Sequence, residues 1–271
     1  MPLGWIDPEQ FSFNSFLMLE RFQIRAMMNS GGWRNNKEEW RRSMGVALNA
    51  NPAVKWYLEN KCPECADTVR EIAASAPVVT DPAEIRKAES YALLSVEDFV
   101  IYTRPELMEI NCDFIWAWDK KRLFELADFE GKIVLDVGSG SGRLAFAAAE
   151  RAKEVYASEP VDTLREYIRE KAARLGVKNI RVCDGMAHAL PFPDNTFDIV
   201  MSGHVVGDDY ENEVAELTRV CKPGGWLLDC TGETTADMKP SEKEIANGWE
   251  VVQYTGYFGK NTCNYRKRVV K

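Results

Sequence analysis

The sequence holds only two histidines, His188 and His204, and no apolar run near the roughly 20 residues that a bilayer span requires; positive charge is also in deficit. The first scarcity leaves little material for histidine-based metal or acid–base sites. The second argues against a membrane protein. The third argues against nucleic acid as substrate, because such proteins need a basic surface to replace condensed counterions. Net charge is -8, with 15 Lys and Arg against 21 Asp and Glu in residues 1–130 and 19 against 21 in residues 131–271. The one dense basic cluster, Arg266, Lys267 and Arg268, fits alternation along a terminal strand equally well. The opening MPLGWIDPEQ lacks the basic-then-apolar pattern of a signal peptide, and the seven cysteines are an odd number, so reduced thiols and a cytoplasmic location are expected. Cys62-Pro63-Glu64-Cys65 has no second C-x-x-C and no nearby histidine to complete a zinc site, and no thioredoxin-like strand precedes it. No metal is expected there, and ordinary packing at a helix start accounts for the pair.

What is present is a large apolar fraction, 45%, in 271 residues, enough for a sizeable core. The chain changes character near Gly131. Before it the signals are helical: Ser15 to Asn29 with Gly31 and Gly32 as stop, Asn36 to Leu48, and helix starts at Asn51-Pro52, Cys62-Pro63 and Asp81-Pro82. Ser95 to Asp98 reads as a capping-box variant, and a further helix is expected over 112–129. After Gly131, short apolar runs alternate with amphipathic stretches, the pattern of a parallel sheet wrapped by helices. The expected strands are Ile133–Val137, Glu154–Ser158, Ile180–Cys183, Phe197–Ser202 and Trp226–Cys230, with helices over 141–151, 160–175 and 209–220. The stretch from Trp249 to Val270 alternates around Gly259-Lys260-Asn261 and predicts an antiparallel hairpin closing one sheet edge.

The stretch IVLDVGSGSGR, residues 133–143, runs from an apolar strand through an acid into alternating glycines. A dinucleotide fingerprint G-x-G-x-x-G begun at Gly138 needs its third glycine at 143, where Arg143 stands. Asp136, two residues ahead of Gly138, would repel a pyrophosphate and attract an ammonium group. Gly138, Gly140 and Gly142 allow a sharp turn with the backbone lying close to a ligand.

The segment VLDVGSGSG resembles the first motif of class I S-adenosylmethionine-dependent methyltransferases. VYASEP, ending in Glu159 and Pro160, IRVCDGM with Asp184, Gly185 and Met186, LPFPDNTFDIVMS ending in Ser202, and LTRVCKPGGWLLD follow in the order seen in the small-molecule (type 11) branch of that family. The resemblance covers roughly residues 105–271 and implies an α/β, Rossmann-like, seven-stranded, mostly parallel sheet with an antiparallel C-terminal hairpin. It also implies a helical N-terminal lid or substrate domain over 1–130 and a cofactor-binding domain over 131–271. S-adenosyl-L-methionine is the implied cofactor and S-adenosyl-L-homocysteine the product. Asp136 would serve the ammonium and the amides after Gly138 the carboxylate of its amino-acid end. Glu159 would accept from the ribose hydroxyls and Asp184 from the adenine amine, with Gly185, Met186, Ser139, Pro160 and Ser202 nearby.

Methyl transfer from a sulfonium needs alignment and exclusion of water, and a base only where the acceptor carries a proton. His204, after the fourth strand, is the candidate base. Tyr102 is the candidate lid residue, with Arg104 beside it; Trp116 and Trp118 cannot both face one side of a helix, so at least one belongs to core or surface. The acidic chain favours a small-molecule acceptor, and the chain alone does not fix oligomeric state. A protein or RNA acceptor, an NAD(P)-dependent reductase and a non-catalytic cofactor-binding protein are the competing readings.

Overall fold

In the computed structural model, residues 4–30, 36–207 and 209–271 are described, and their contacts divide the chain into two compact units, Met1–Asn111 and Cys112–Lys271. The packing boundary falls ahead of the change of character at Gly131, because Leu123, Leu126 and Phe129 are buried in the core of the second unit.

The first unit is helical. Asn36 caps Lys37–Ala50 by accepting from the Glu39 amide, Asp81 caps Pro82–Leu94 by accepting from the Ala83 amide, and Pro52 opens Pro52–Lys61. Gly45 lets the helix Lys37–Ala50 cross closely over Ala66–Ser75, since a Cβ there would drive into the Ile72 carbonyl. Three expectations fail here. Ser15 to Asn29 is not one helix: a 3-10 turn over Phe13–Met18, capped by Ser12, ends at Leu19, and Arg21–Ser30 starts afresh. The glycines expected to stop it, Gly31 and Gly32, lie outside the described residues. After Cys62-Pro63 a short 3-10 turn precedes the helix proper. Ser95 does not cap: its hydroxyl donates back to the Ala92 carbonyl, and Val96 occupies the N-cap of Glu97–Ile101 without a side-chain bond.

The second unit is built on a seven-stranded sheet: β1 Ile133–Val137, β2 Glu154–Ser158, β3 Ile180–Cys183, β4 Phe197–Ser202, β5 Cys221–Asp229, β6 Glu250–Thr255 and β7 Asn261–Arg268. Their spatial order is β3-β2-β1-β4-β5-β7-β6, parallel through β5, with β7 antiparallel to both neighbours. β3 and β6 are thus the edges. The central strands read as nearly continuous apolar runs because both faces are covered. Val134, Ile199, Met201 and Leu228 face Leu144, Ile168 and the segment 123–129, while Leu135, Val200 and Leu227 face Leu217 and Val220 of the helix Tyr210–Val220. The crossover helices are Arg143–Ala148 and Asp162–Leu175, the latter ended by Gly176 in the left-handed conformation.

β5 begins earlier than expected. Cys221 pairs with Phe197 and Trp226 with Ile199, so Lys222 to Gly225 bulge out of register between them. The expected single helix over 112–129 is two short turns, Asp113–Trp116 and Lys121–Phe124; Asp119 accepts from the Lys121 amide and restarts the chain after the break. Among the described residues no helix is long and apolar enough to cross a membrane. Phe129 is 1% exposed and packs edge-on against Phe124. Phe129→Ala is therefore expected to lower unfolding stability by about 3–5 kcal/mol, read from the midpoint of a urea transition at unchanged m-value.

Candidate functional site

Parallel strands bring their carboxyl ends to one edge, where open α/β sheets bind ligands. Register places Val137, Ser158, Cys183, Ser202 and Asp229 level across β1 to β5. Asp136 lies one residue inside that line on β1, Glu159 follows β2 directly, and Asp184 follows β3.

The glycine turn starts by using its own amides. Gly138 N and Ser139 N both donate to the Ser158 carbonyl, at 2.8 and 3.2 Å, and Gly140 N donates to Glu159 Oε2 at 2.9 Å. Of the amides after Gly138, expected to meet a ligand's carboxylate, those of Ser139 and Gly140 are bonded to Ser158 and Glu159 in the ligand-free chain. Gly142 N then closes back on the Ser139 carbonyl at 2.8 Å. Gly138, with φ of +65°, packs so tightly that a Cβ would collide with the Val205 side chain. Ser139 is buried, and its hydroxyl donates to the Asp136 carbonyl.

Glu159 is buried, and its second oxygen accepts from the Val161 amide at 2.9 Å, at the start of the helix Asp162–Leu175. A carboxylate has about four lone-pair directions, so two remain for hydroxyl donors. Burial pushes the Glu159 carboxyl up to about 7, against the pull of the Val161 and Gly140 amides. Asp136, 1% exposed, is also pushed up to about 7 by burial, opposed by the Ser139 hydroxyl and the Arg143 guanidinium. Among the described residues its Oδ2 has no hydrogen-bond partner, and neither do the buried hydroxyls of Ser141, Ser158 and Ser202. Unsatisfied buried polar atoms are costly and uncommon, so their gathering at one strand edge points to a polar ligand.

Asp184 differs: its side chain is largely exposed and faces Arg165 Nη1 at 3.5 Å. Gly185 lies against the Ser158 hydroxyl and Pro191, leaving no room for a Cβ, and Met186 pairs with Ala189 across a tight loop. Pro160 follows Glu159 at the same edge, half-buried. His188 is exposed on that loop and lines a shallow cleft of about 440 Å³ with Asp209, Asn212, Glu216 and Arg219.

His204 follows β4 with φ of +61°, an unusual conformation for a residue with a Cβ and one that marks functional loops. Its ring centre lies 4.5 Å from that of Phe114 with the planes tilted by 52°, while the residue stays exposed. Desolvation by its neighbours, and then the nearby Arg143 cation, hold the imidazole down at about 4 although the Thr231 carbonyl accepts from it. Trp118 packs into the core and Trp116, 48% exposed, meets Tyr257 and Phe258 edge-on at 5.7 Å. Tyr102 lies in the first unit, its ring 6.4 Å from that of Phe99, and Arg104 pairs with Glu106. The Cys62 thiol is pushed up to about 12 by burial and by Cys65, the opposite of an activated redox thiol. Sequence reasoning missed Asp229, whose carboxyl is pushed up to about 7 by burial and by Glu244; its position closing β5 was the available signal.

A family model described as a methyltransferase domain matches residues 134–225. Residues 134–225 are thus similar to a methyltransferase domain. An uncharacterized protein of Mycobacterium tuberculosis is 36% identical over 99 residues, 36% of each chain, and a demethylmenaquinone methyltransferase of Geobacillus kaustophilus is 37% identical over 118 residues, 42% of this chain and 50% of that one. A SAM-dependent methyltransferase structure from Aquifex aeolicus shares the fold, with a TM-score of 0.50 at 23% identity over 62% of this chain and 98% of that one. The chain spans about a third to a half of the length of the curated relatives it matches.

The methyltransferase edge carries two checkable properties. In carbon-13 carboxyl spectra of the ligand-free protein, Asp136 and Glu159 are expected to titrate near pH 7, well above the range of surface acids. Ser202→Ala should leave the melting temperature of the ligand-free protein unchanged or slightly raised, because the deleted hydroxyl has no partner to lose.

Proposed function

We propose that the chain transfers a methyl group from S-adenosylmethionine to a small-molecule acceptor by in-line displacement. The observation that carries this is the unpartnered, buried Asp136 Oδ2 beneath the glycine turn. A ligand bearing an ammonium group satisfies that atom; a pyrophosphate does not.

When bound, S-adenosylmethionine supplies a methyl group activated by a positively charged sulfur. Asp136 holds the ammonium, and ionises as it does so. Glu159 offers its two remaining lone pairs to vicinal ribose hydroxyls while its existing bonds keep Gly140 and Val161 in place. Asp184 accepts from the exocyclic amine of adenine, with Gly185 and Met186 flanking the ring. The hydroxyls of Ser139 and Ser202 line the same edge, and Pro160 fixes the chain after Glu159. His204, neutral at physiological pH, accepts the proton where the acceptor is a hydroxyl or amine. The net acidic character of the chain supports a small acceptor over a nucleic acid.

Calorimetric titration tests the reading. S-adenosylhomocysteine should bind and NAD should not; tight NAD binding with no heat from S-adenosylhomocysteine would overturn it. Because Asp136 must lose a proton to hold an ammonium, and its ligand-free carboxyl sits near 7, affinity should rise at least about tenfold from pH 5 to pH 7. Proton release should show as a dependence of the heat on buffer ionisation enthalpy. Glu159→Gln should weaken binding by about tenfold or more, since the new amide cannot accept on both sides; Asp184→Asn, at an exposed position, should cost less.

A further inference from the structure

Arg143 stands where a dinucleotide fingerprint would place its third glycine, and its side chain is used elaborately. It leaves the first turn of the helix Arg143–Ala148 and passes between two loops. Nη1 donates to the Phe114 carbonyl and Nη2 to the Cys230 carbonyl, both at 2.8 Å. The guanidinium lies 4.9 Å from the Trp118 ring centre and 5.5 Å from that of Phe114, within the range of cation–π attraction. Two glycines make the passage. A Cβ on Gly203 would sit 2.6 Å from Nη2, and one on Gly232 would collide with Nη1. Gly203 immediately precedes His204, and Gly232 follows β5.

The fork therefore ties the turn Asp113–Trp116 to the end of β5 and passes close beside the loop after β4. A lysine would offer one compact ammonium in place of a planar fork, so it could not reach both carbonyls from two fixed nitrogens while laying a flat face against the rings. Burial lowers the pKa of the guanidinium, and the nearby Asp136 and Asp229 carboxyls oppose that shift. The groups facing His204 are the Phe114 ring, the Arg143 cation and the Thr231 carbonyl.

We propose that Arg143 is a positioning residue of the acceptor side: by clamping Phe114 to the end of β5, it sets the placement and surroundings of the His204 ring. It links the turn that grips the cofactor to the loop that meets the acceptor. The role assigned to His204 rests on the methyl-transfer reading; the clamp itself is measurable without it.

With only two histidines, the imidazole resonances of the full, ligand-free chain are few, and His188→Gln assigns them. In Arg143→Met and the milder Arg143→Lys, the His204 ring protons are expected to lose the shift imposed by the Phe114 ring. The His204 titration midpoint should move up by about one unit or more, while His188 stays put. Folded variants with wild-type His204 shifts and midpoint overturn the proposal, as does loss of S-adenosylhomocysteine binding with His204 unmoved. Should the wild-type chain not bind S-adenosylhomocysteine, the methyl-transfer reading fails, whereas the His204 spectra still decide the clamp.

Discussion

Three successive backbone amides leaving β1 find their acceptors on the last residues of β2 and on the Glu159 side chain, and the remainder of the site is arranged around that commitment. Because Ser158 and Glu159 hold the turn from one side, Gly138, Gly140 and Gly142 are forced into left-handed conformations that side-chain-bearing residues adopt only at a cost. The same carboxylate also fixes the Val161 amide at the next helix start. One buried acid thus fastens two crossovers of the sheet. Its neighbour Asp136 is left beneath the turn with an oxygen that no described residue satisfies.

The sheet edge is in consequence an electrostatic device held in reserve. Asp136, Glu159 and Asp229 are each driven by burial toward neutrality near pH 7. A buried carboxylate without a cation is expensive, whereas a protonated one is tolerated. Arrival of a positively charged group converts that cost into attraction. Arg143 partly offsets the negative charge from behind, but its fork is spent on carbonyl oxygens.

Much of this was legible in the sequence where local pattern and tertiary environment agree. The bounds of β1 to β4 follow from apolar runs bounded by turn residues, and the acids at their ends follow from the same reading. Failures occur where tertiary contacts override local signals. Leu19 and Glu20 interrupt an otherwise helical pattern, and Lys222 to Gly225 bulge within β5 although Pro-Gly-Gly reads as a turn before it. Residues 112–129 carry a helical period but break at Ala117 to Lys120, where Trp118 packs into the core beneath the Arg143 guanidinium. Arg143 itself was visible only as a mismatch to a glycine motif. Nothing local announces that two glycines distant in sequence, Gly203 and Gly232, exist to make room for it.

The two margins of the sheet bear on how the molecule behaves in a crowded solution. β3 is four residues long, and its Arg181 is tied sideways to Glu154 of β2; at the opposite margin Glu250 of β6 is tied to Arg266 of β7. A strand from another molecule seeking to extend the sheet would meet a short ladder at one end and fixed charges at both. Such margins resist runaway stacking of chains into fibres, which a flat, apolar border would invite.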